Sequence, residues 1–339
     1  MSLSDYHGSA RDWREQIKNN ERKTYRVIAL FILVYVCVGL IVDVVVLHLS
    51  YPKAPVGLIL NSLLTFKVVP YATLLLLGFA IISIWITYAF YDRIMLLGTE
   101  YHEITPETAR NLQEKQLYNV VEEMKVASGL QFMPRVFIIE ADYMNAFASG
   151  YSEQSAMVAI TRGLMEQLDR SEMQAVMAHE LSHIRHHDIK LTLTVAVLSN
   201  ILLIVVDVLF YSVLFNREDR EDNRLLLVVM ILRYVLPIIT VILALFLSRT
   251  REYMADAGCV ELMRDNEPMA RALLKISEDH QAHAEHYEKE YGQTPHEQVR
   301  QASYLFDPSD IDPVKSLNNA FSTHPSVEQR LEALGFTHK

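Results

Sequence analysis

Four long apolar stretches set the plan of this chain: Val27 to Leu49, Val68 to Met95, Leu191 to Phe215 and Leu225 to Leu247. Each exceeds the roughly 20 residues that a helix needs to cross a bilayer, and they pair into two hairpins. Arg11, Arg14, Lys18, Arg22, Lys23 and Arg26 precede the first stretch, whereas the loop of the first hairpin holds only Lys53 and Lys67. That excess of basic residues predicts a cytoplasmic N-terminus, and with it a cytoplasmic segment after the second span. The first stretch reads as an uncleaved signal anchor, since a signal peptide has a shorter apolar core and a small-residue cleavage site. The second hairpin turns in the charged run Asn216 to Arg224, and its length would equally suit a hairpin buried inside the protein.

Between the hairpins the pattern is that of a water-soluble unit. Thr105-Pro106-Glu107 predicts a helix start with Pro at the first helical position, running to about Ala127 and stopping at Gly129. Arg135 to Ile139 and Ser155 to Thr161 are rich in β-branched residues and read as strands, with Met144 to Ala148 as a shorter one. Ser171 then opens a helix, with Gln174 completing a capping-box pattern. The chain after the second hairpin is polar and helical in pattern, with Asn266 as a cap and breaks near Gly292, Pro295, Pro308 and Pro313. The division is therefore a cytoplasmic N-terminal segment (1–26), a first transmembrane hairpin (27–95), a small α+β region (96–190), a second hairpin (191–248) and a helical C-terminal part (249–339).

Composition narrows the function. Of 339 residues 51% are hydrophobic, too many for an ordinary soluble protein, and the net charge of −10 argues against a nucleic-acid partner. With two cysteines, Cys37 in an apolar run and Cys259 far away, there is neither a disulfide framework nor a cysteine zinc ribbon, and Cys259 reads as an inert, reduced small residue.

The chemistry lies in His179-Glu180-Leu181-Ser182-His183. Helical positions four apart lie one above the other, so His179 and His183 can aim two imidazoles at one metal ion. Glu180, about 100° further round, stands where it can take a proton from a metal-bound water. A third ligand is required. One known spacing needs Gly and His at the positions that His186 and Ile189 occupy, and so fails. The other takes a Glu from a separate helix, with an Asp four residues on that holds a ligand His from behind; Glu252 and Asp256 have that spacing. His187, one more turn along the ligand face, is the rival, and Glu252 is preferred because Asp256 arrives with it and two His plus one Glu is a common catalytic zinc set. Asp188 reads either as a helix-end residue or as a polar anchor near the site. His183 and Glu252 flank the second hairpin, whose arms are each roughly 45 Å long, so the ligands close without special loops. His280, His283 and His286 recur every third position among acidic residues and read as a solvated face rather than a second metal site. Inside the spans, Asp207 and Arg233 sit equidistant from the turn and predict an ion pair, with Asp43 as a second acceptor at the same depth.

The segments MAHELSHIRHHD (177–188), LSRTREYMADAG (247–258), NAFASG (145–150) and FSTHPSVEQRLEAL (321–334) resemble the HtpX-type membrane zinc metallopeptidases, relatives of the CAAX prenyl endopeptidases. The resemblance implies a small α+β cytoplasmic zinc metalloprotease domain on a mainly α membrane protein of four transmembrane helices. It implies one Zn2+ per subunit on His179, His183 and Glu252, with Glu180 as general base. Asn145 would flank an edge strand that holds extended substrate through backbone hydrogen bonds. His324 and Arg330 would lie near the zinc, where a cationic group stabilises the oxyanion. The implied activity is endoproteolysis of misfolded or surplus membrane proteins at the inner membrane, with both termini and the active site cytoplasmic. The alternatives are a CAAX-type processing protease and a non-enzymatic membrane protein whose His pair binds an ion.

Overall fold

A computed structural model describes residues 3–8, 12–51, 53–95, 100–150, 152–215, 224–287, 304–306 and 324–338. In chain order its main elements are β1 (Tyr6–Gly8), α1 (Trp13–Ser50), α2 (Val56–Leu64), α3 (Tyr71–Met95), β2 (Tyr101–Ile104), α4 (Leu112–Ser128), β3 (Arg135–Ile139), β4 (Ala146–Ser149) and β5 (Met157–Thr161). There follow α5 (Arg162–Gln167), α6 (Arg170–Arg185), α7 (Asp188–Phe215), α8 (Arg224–Met263), α9 (Glu267–Ala282), α10 (Val327–Leu334) and β6 (Phe336–His338). Contacts divide the chain into two compact units, one of residues 25–87 and 192–246, the other of residues 1–24, 88–191 and 247–339.

The first unit is helical. Among the described residues, Trp13–Ser50, Lys190–Phe215 and Leu226–Met263 are long and apolar enough to cross a membrane, and Tyr71–Thr87 is a shorter apolar helix. Fewer than a third of the residues in the apolar windows of α7 and α8 are buried among the described residues. Helix α1 begins 14 residues before the expected span at Val27, because Glu15, Gln16, Lys18, Glu21, Arg22 and Lys23 are good helix formers and nothing breaks the run. Helix α2 was not expected: its nine residues are too few for a span, and it packs Ile59 and Leu63 against Val44.

Arg233 Nε lies 2.9 Å from Asp207 Oδ1, as the equal distances from the turn predict; of that turn, residues 216–223 lie outside the described residues. Asp43 does something else. Its carboxylate accepts from the N–H groups of Ala72 (2.7 Å) and Thr73 (3.0 Å) and from Thr73 Oγ1 (2.6 Å), so it caps the start of α3. A helix start offers orphan N–H donors, which outcompete a distant guanidinium for the carboxylate. Gly39 permits this approach, since a Cβ there would meet Thr73 Oγ1 at 2.7 Å. Asp43→Ala should therefore lower stability by about 1–2 kcal/mol, read as the thermal midpoint in detergent; an unchanged midpoint would remove the cap from the account.

The second unit is built on a four-stranded sheet of order β2-β3-β5-β4. Strand β3 runs parallel to β5, while β2 and β4 are antiparallel to their neighbours. Strand β3 coincides with its prediction; β5 starts at Met157 and β4 covers Ala146–Ser149, so both lie slightly downstream of theirs, while β2 was unforeseen. Helix α4 starts at the cap Asn111, whose side chain accepts from Glu114 N, rather than at Thr105, which closes a turn with Thr108. It ends at Gly129 with φ +76, as expected. In α6 the capping box is made by Asp169 and Glu172, two residues before the Ser171–Gln174 pair that has the same spacing. Asn266 precedes α9, but its side chain donates to Leu334 O at 2.7 Å and does not cap the helix.

Candidate metal centre

Helix α6 presents His179 and His183 on one face, with their Nε2 atoms 3.1 Å apart. The Glu252 carboxylate stands 3.6 Å from each of these nitrogens, from Oε2 to His179 and from Oε1 to His183. One ligand atom from each of the three residues lies within 4.8 Å of the others, and among the described residues this is the group placed to hold a metal ion. Glu252 arrives on α8, which continues unbroken past the apolar stretch to Met263. The crossing of α6 and α8 is close: a Cβ on Gly258 would meet Ser182 Oγ at 2.4 Å. Cys259 lies buried at the same crossing with its thiol on Ala175 O, consistent with an inert packing residue.

Each imidazole is oriented from behind by a carboxylate. His179 Nδ1 lies 3.0 Å from Asp256 Oδ1, and His183 Nδ1 lies 2.9 Å from Asp188 Oδ2. A donor role for both Nδ1 atoms turns the Nε2 lone pairs toward one another, which is unfavourable unless a positive species sits between them. A proton on one ring can supply that charge, and a metal ion can supply it to both. Burial opposes protonation of both rings, yet Asp256 and Glu252 lift His179 to about 9, while at His183 burial prevails and takes the ring down to about 3. Glu252 Oε2 is buried without a hydrogen-bond partner among the described residues. Two lone pairs and an orphaned carboxylate oxygen fit a divalent cation.

Asp188 is therefore a polar anchor. Helix α6 ends at Arg185, the chain turns through His186 and His187 with His187 at φ +55, and α7 begins at Asp188, which reaches back to His183. Asp188 is in turn paired with Arg251, which also donates to His186 O at 3.0 Å. His187 is exposed in that turn and takes no part in the ligand group.

Glu180 is 1% exposed, and its carboxyl is pushed up to about 7, first by burial, with Glu252 adding and His179 and Arg330 opposing. The N–H of Ala148 on β4 faces this carboxylate, and its Oε1 lacks a partner among the described residues. His324 Nδ1 lies 3.4 Å from Glu252 Oε2. Arg330 is buried with its fork on Asp256, Nη2 at 2.7 Å from Oδ1 and Nε at 3.0 Å from Oδ2. Its Nη1 donates to Leu305 O at 2.7 Å and stands 3.6 Å from Glu252 Oε2. Asn145 flanks the edge strand β4: its Nδ2 donates to Phe306 O at 2.9 Å, and Leu305 N donates to Ala146 O at 2.8 Å. The triplet Tyr304–Phe306 is thus laced to the start of that edge. No sequence signal marked it.

The histidine run divides. His283 and His286 are exposed, as expected of a solvated face, but His280 is buried, with Nδ1 on Ile276 O and its ring 4.5 Å from that of Phe306. Burial takes it down to about 4.

A largely buried two-histidine, one-glutamate group beside a buried carboxylate, in a chain that also carries long apolar helices, defines the class of membrane metallopeptidases. The model of Peptidase family M48 matches residues 111–337, and the chain belongs to that family. It is 39% identical over 318 residues to the protease HtpX homolog of Helicobacter acinonychis (strain Sheeba), covering 94% of this chain and 96% of that protein. The protease HtpX homolog of Dictyoglomus thermophilum is 32% identical over 94% of this chain and 93% of its own. The crystal structure of S. mikatae Ste24p is 17% identical with a TM-score of 0.49, covering 86% of this chain and 65% of that one. The chain is accordingly a membrane metalloprotease, a hydrolase.

Proposed function

We propose that the chain is a zinc endopeptidase of the bacterial inner membrane with its active site on the cytoplasmic side. His179, His183 and Glu252 would hold one zinc ion, with Asp256 and Asp188 fixing the two rings. Two nitrogens and one carboxylate leave a fourth position open, the arrangement of catalytic rather than structural zinc. Bound there, the metal would supply Lewis acidity to a water and to the scissile carbonyl. Glu180 takes the proton of the attacking water and passes it to the leaving amine, and its burial, which favours the protonated carboxyl, helps it hold that proton between the two transfers. Strand β4 would align the substrate backbone beside Glu180, since Ala148 lies on the sheet edge next to that carboxylate. The facing imidazole nitrogens with Glu252 across from them carry this reading.

Purified in detergent, wild-type protein should contain about one zinc per chain and cleave casein. Glu180→Gln should keep the metal and lose at least about a hundredfold in rate, the scale of a general base. Equal cleavage by both forms would sink the enzyme mechanism.

The substrates we propose are misfolded or surplus membrane proteins, a reading supported by a protease site carried on the same chain as helices long and apolar enough to cross a membrane. We further propose four spans, α3 being the fourth. Six basic residues before the first span against two after it orient the chain. A reporter fused at Pro55 is then expected outside, and reporters after Gly98 or at the C-terminus inside; the reverse labelling would overturn the orientation.

A further inference from the structure

The pair Asp207–Arg233 is satisfied within the hairpin, yet it is not covered. At 2.9 Å the ion pair is close, but 52% of the Asp207 side chain and 28% of the Arg233 side chain remain exposed. Asp207 lies eight residues before the end of α7, about 12 Å along the helix, which is inside a hydrocarbon layer roughly 30 Å thick. Its face also carries Ile204, Val208 and Tyr211, each exposed, whereas Val206 and Leu209 turn inward. Arg233 is held at this depth as well, its guanidinium 4.3 Å from the ring centre of Phe210 and 5.2 Å from that of Tyr211. Ionised groups in spans face a protein interior or water, because lipid tails solvate neither charge.

We propose that this face of α7 and α8 is the interface of a two-fold symmetric homodimer, in which Asp207 of each copy meets Arg233 of its partner. The argument is complementarity of charge and depth. An occupant must offer a cation to Asp207 and an anion to Arg233, side by side, at one level of the bilayer. A second copy does so without coincidence: both copies insert with the same orientation, so the levels match, and a two-fold axis sets each acid against the other copy's base. Zwitterionic lipid headgroups carry both charges but lie at the surface, so they do not answer the depth. Exposed Ile204 and Val208 supply the apolar rim that the contact would bury. The inference requires only that α7 and α8 cross a bilayer and is independent of the catalytic reading.

The test uses full-length protein, with helical circular dichroism and the thermal midpoint in detergent as the check of folding. The wild type should have the mass of two chains in detergent and in nanodiscs, and Val208→Cys in a Cys37→Ser background should cross-link in membranes. Asp207→Arg alone and Arg233→Asp alone should each cut the dimer fraction at least tenfold, since like charges would then meet across the axis. Co-expressed with two different tags, these two variants should co-purify as a mixed dimer, because one carries two bases and the other two acids. The double variant Asp207→Arg/Arg233→Asp should dimerise as the wild type does. The proposal is overturned by a wild type of single-chain mass that fails to cross-link at Val208, by dimers indifferent to the single reversals, or by variants that do not associate on mixing. If the single variants fail to fold, the Val208 cross-link and the double variant decide.

Discussion

Glu252→Ala should leave the chain folded and strip it of its metal, whereas His187→Ala should leave metal content unchanged. Glu252 faces both imidazole nitrogens at 3.6 Å, and its Oε2 has no hydrogen-bond partner among the described residues. Losing even a residue that only orients a ligand costs about 10–100-fold in metal affinity, so losing a ligand should cost more than that. His187 is exposed, in a turn at φ +55. Zinc per chain after dialysis, measured by elemental analysis, checks both. An emptied site in His187→Ala with an occupied one in Glu252→Ala would transfer the third ligand to His187.

Much of this was legible in the sequence because it is local or periodic. Strand β3 stands where its β-branched run predicts, and Gly129 ends α4 where it should, since both depend on near neighbours alone. The i, i+4 pairs His179–His183 and Glu252–Asp256 could be read because helical spacing fixes which residues share a face. What escaped was set by contacts between distant segments. The sequence leaves Asp188 open because a kinked turn through His186 and His187, not a helical repeat, brings it to His183. Depth alone assigns Asp43 to Arg233, yet the free N–H groups at the start of α3 claim it. Capping-box spacing occurs twice near α6, and the pattern alone could not choose Asp169 over Ser171. Leu305 pairs with Ala146, 159 positions away in the chain, and no short-range signal carries such a bond.

The position of Glu252 combines both kinds of information. The equal arms of the hairpin follow from counting, and the Asp207–Arg233 contact accords with the register so counted. The final approach of α8 to α6 depends on Ser182 and Gly258, two small residues that face each other. Glu252 and Asp256 share one helix face, ligand and orienting carboxylate, and Gly258 further round the helix leaves the gap that lets α8 close on Ser182. Any side chain at position 258 would push Glu252 away from the histidines, although the residue touches no ligand.

Arg330→Met should unfold or empty the protein rather than merely slow it. The family resemblance implies that this guanidinium lies near the zinc as a stabiliser of the oxyanion; it does approach Glu252 at 3.6 Å and His179 Nδ1 at 3.4 Å, but its fork is committed to Asp256 by two bonds and its Nη1 to Leu305 O. Removing one partner of a buried pair leaves the other charge uncompensated, at about 3–5 kcal/mol, and here the stranded group would be Asp256. Asp256 is what holds His179, so metal affinity should fall by a further 10–100-fold or so. Arg330→Lys should fail as well, because an ammonium cannot grip both carboxylate oxygens as the fork does. A residue acting only on the oxyanion would behave differently: metal content and thermal midpoint would stay at wild-type values while kcat fell by about 10²–10³. Metal content, midpoint and kcat measured on the same preparation separate the two roles, and an intact, zinc-loaded but slow Arg330→Met would return the arginine to the transition state.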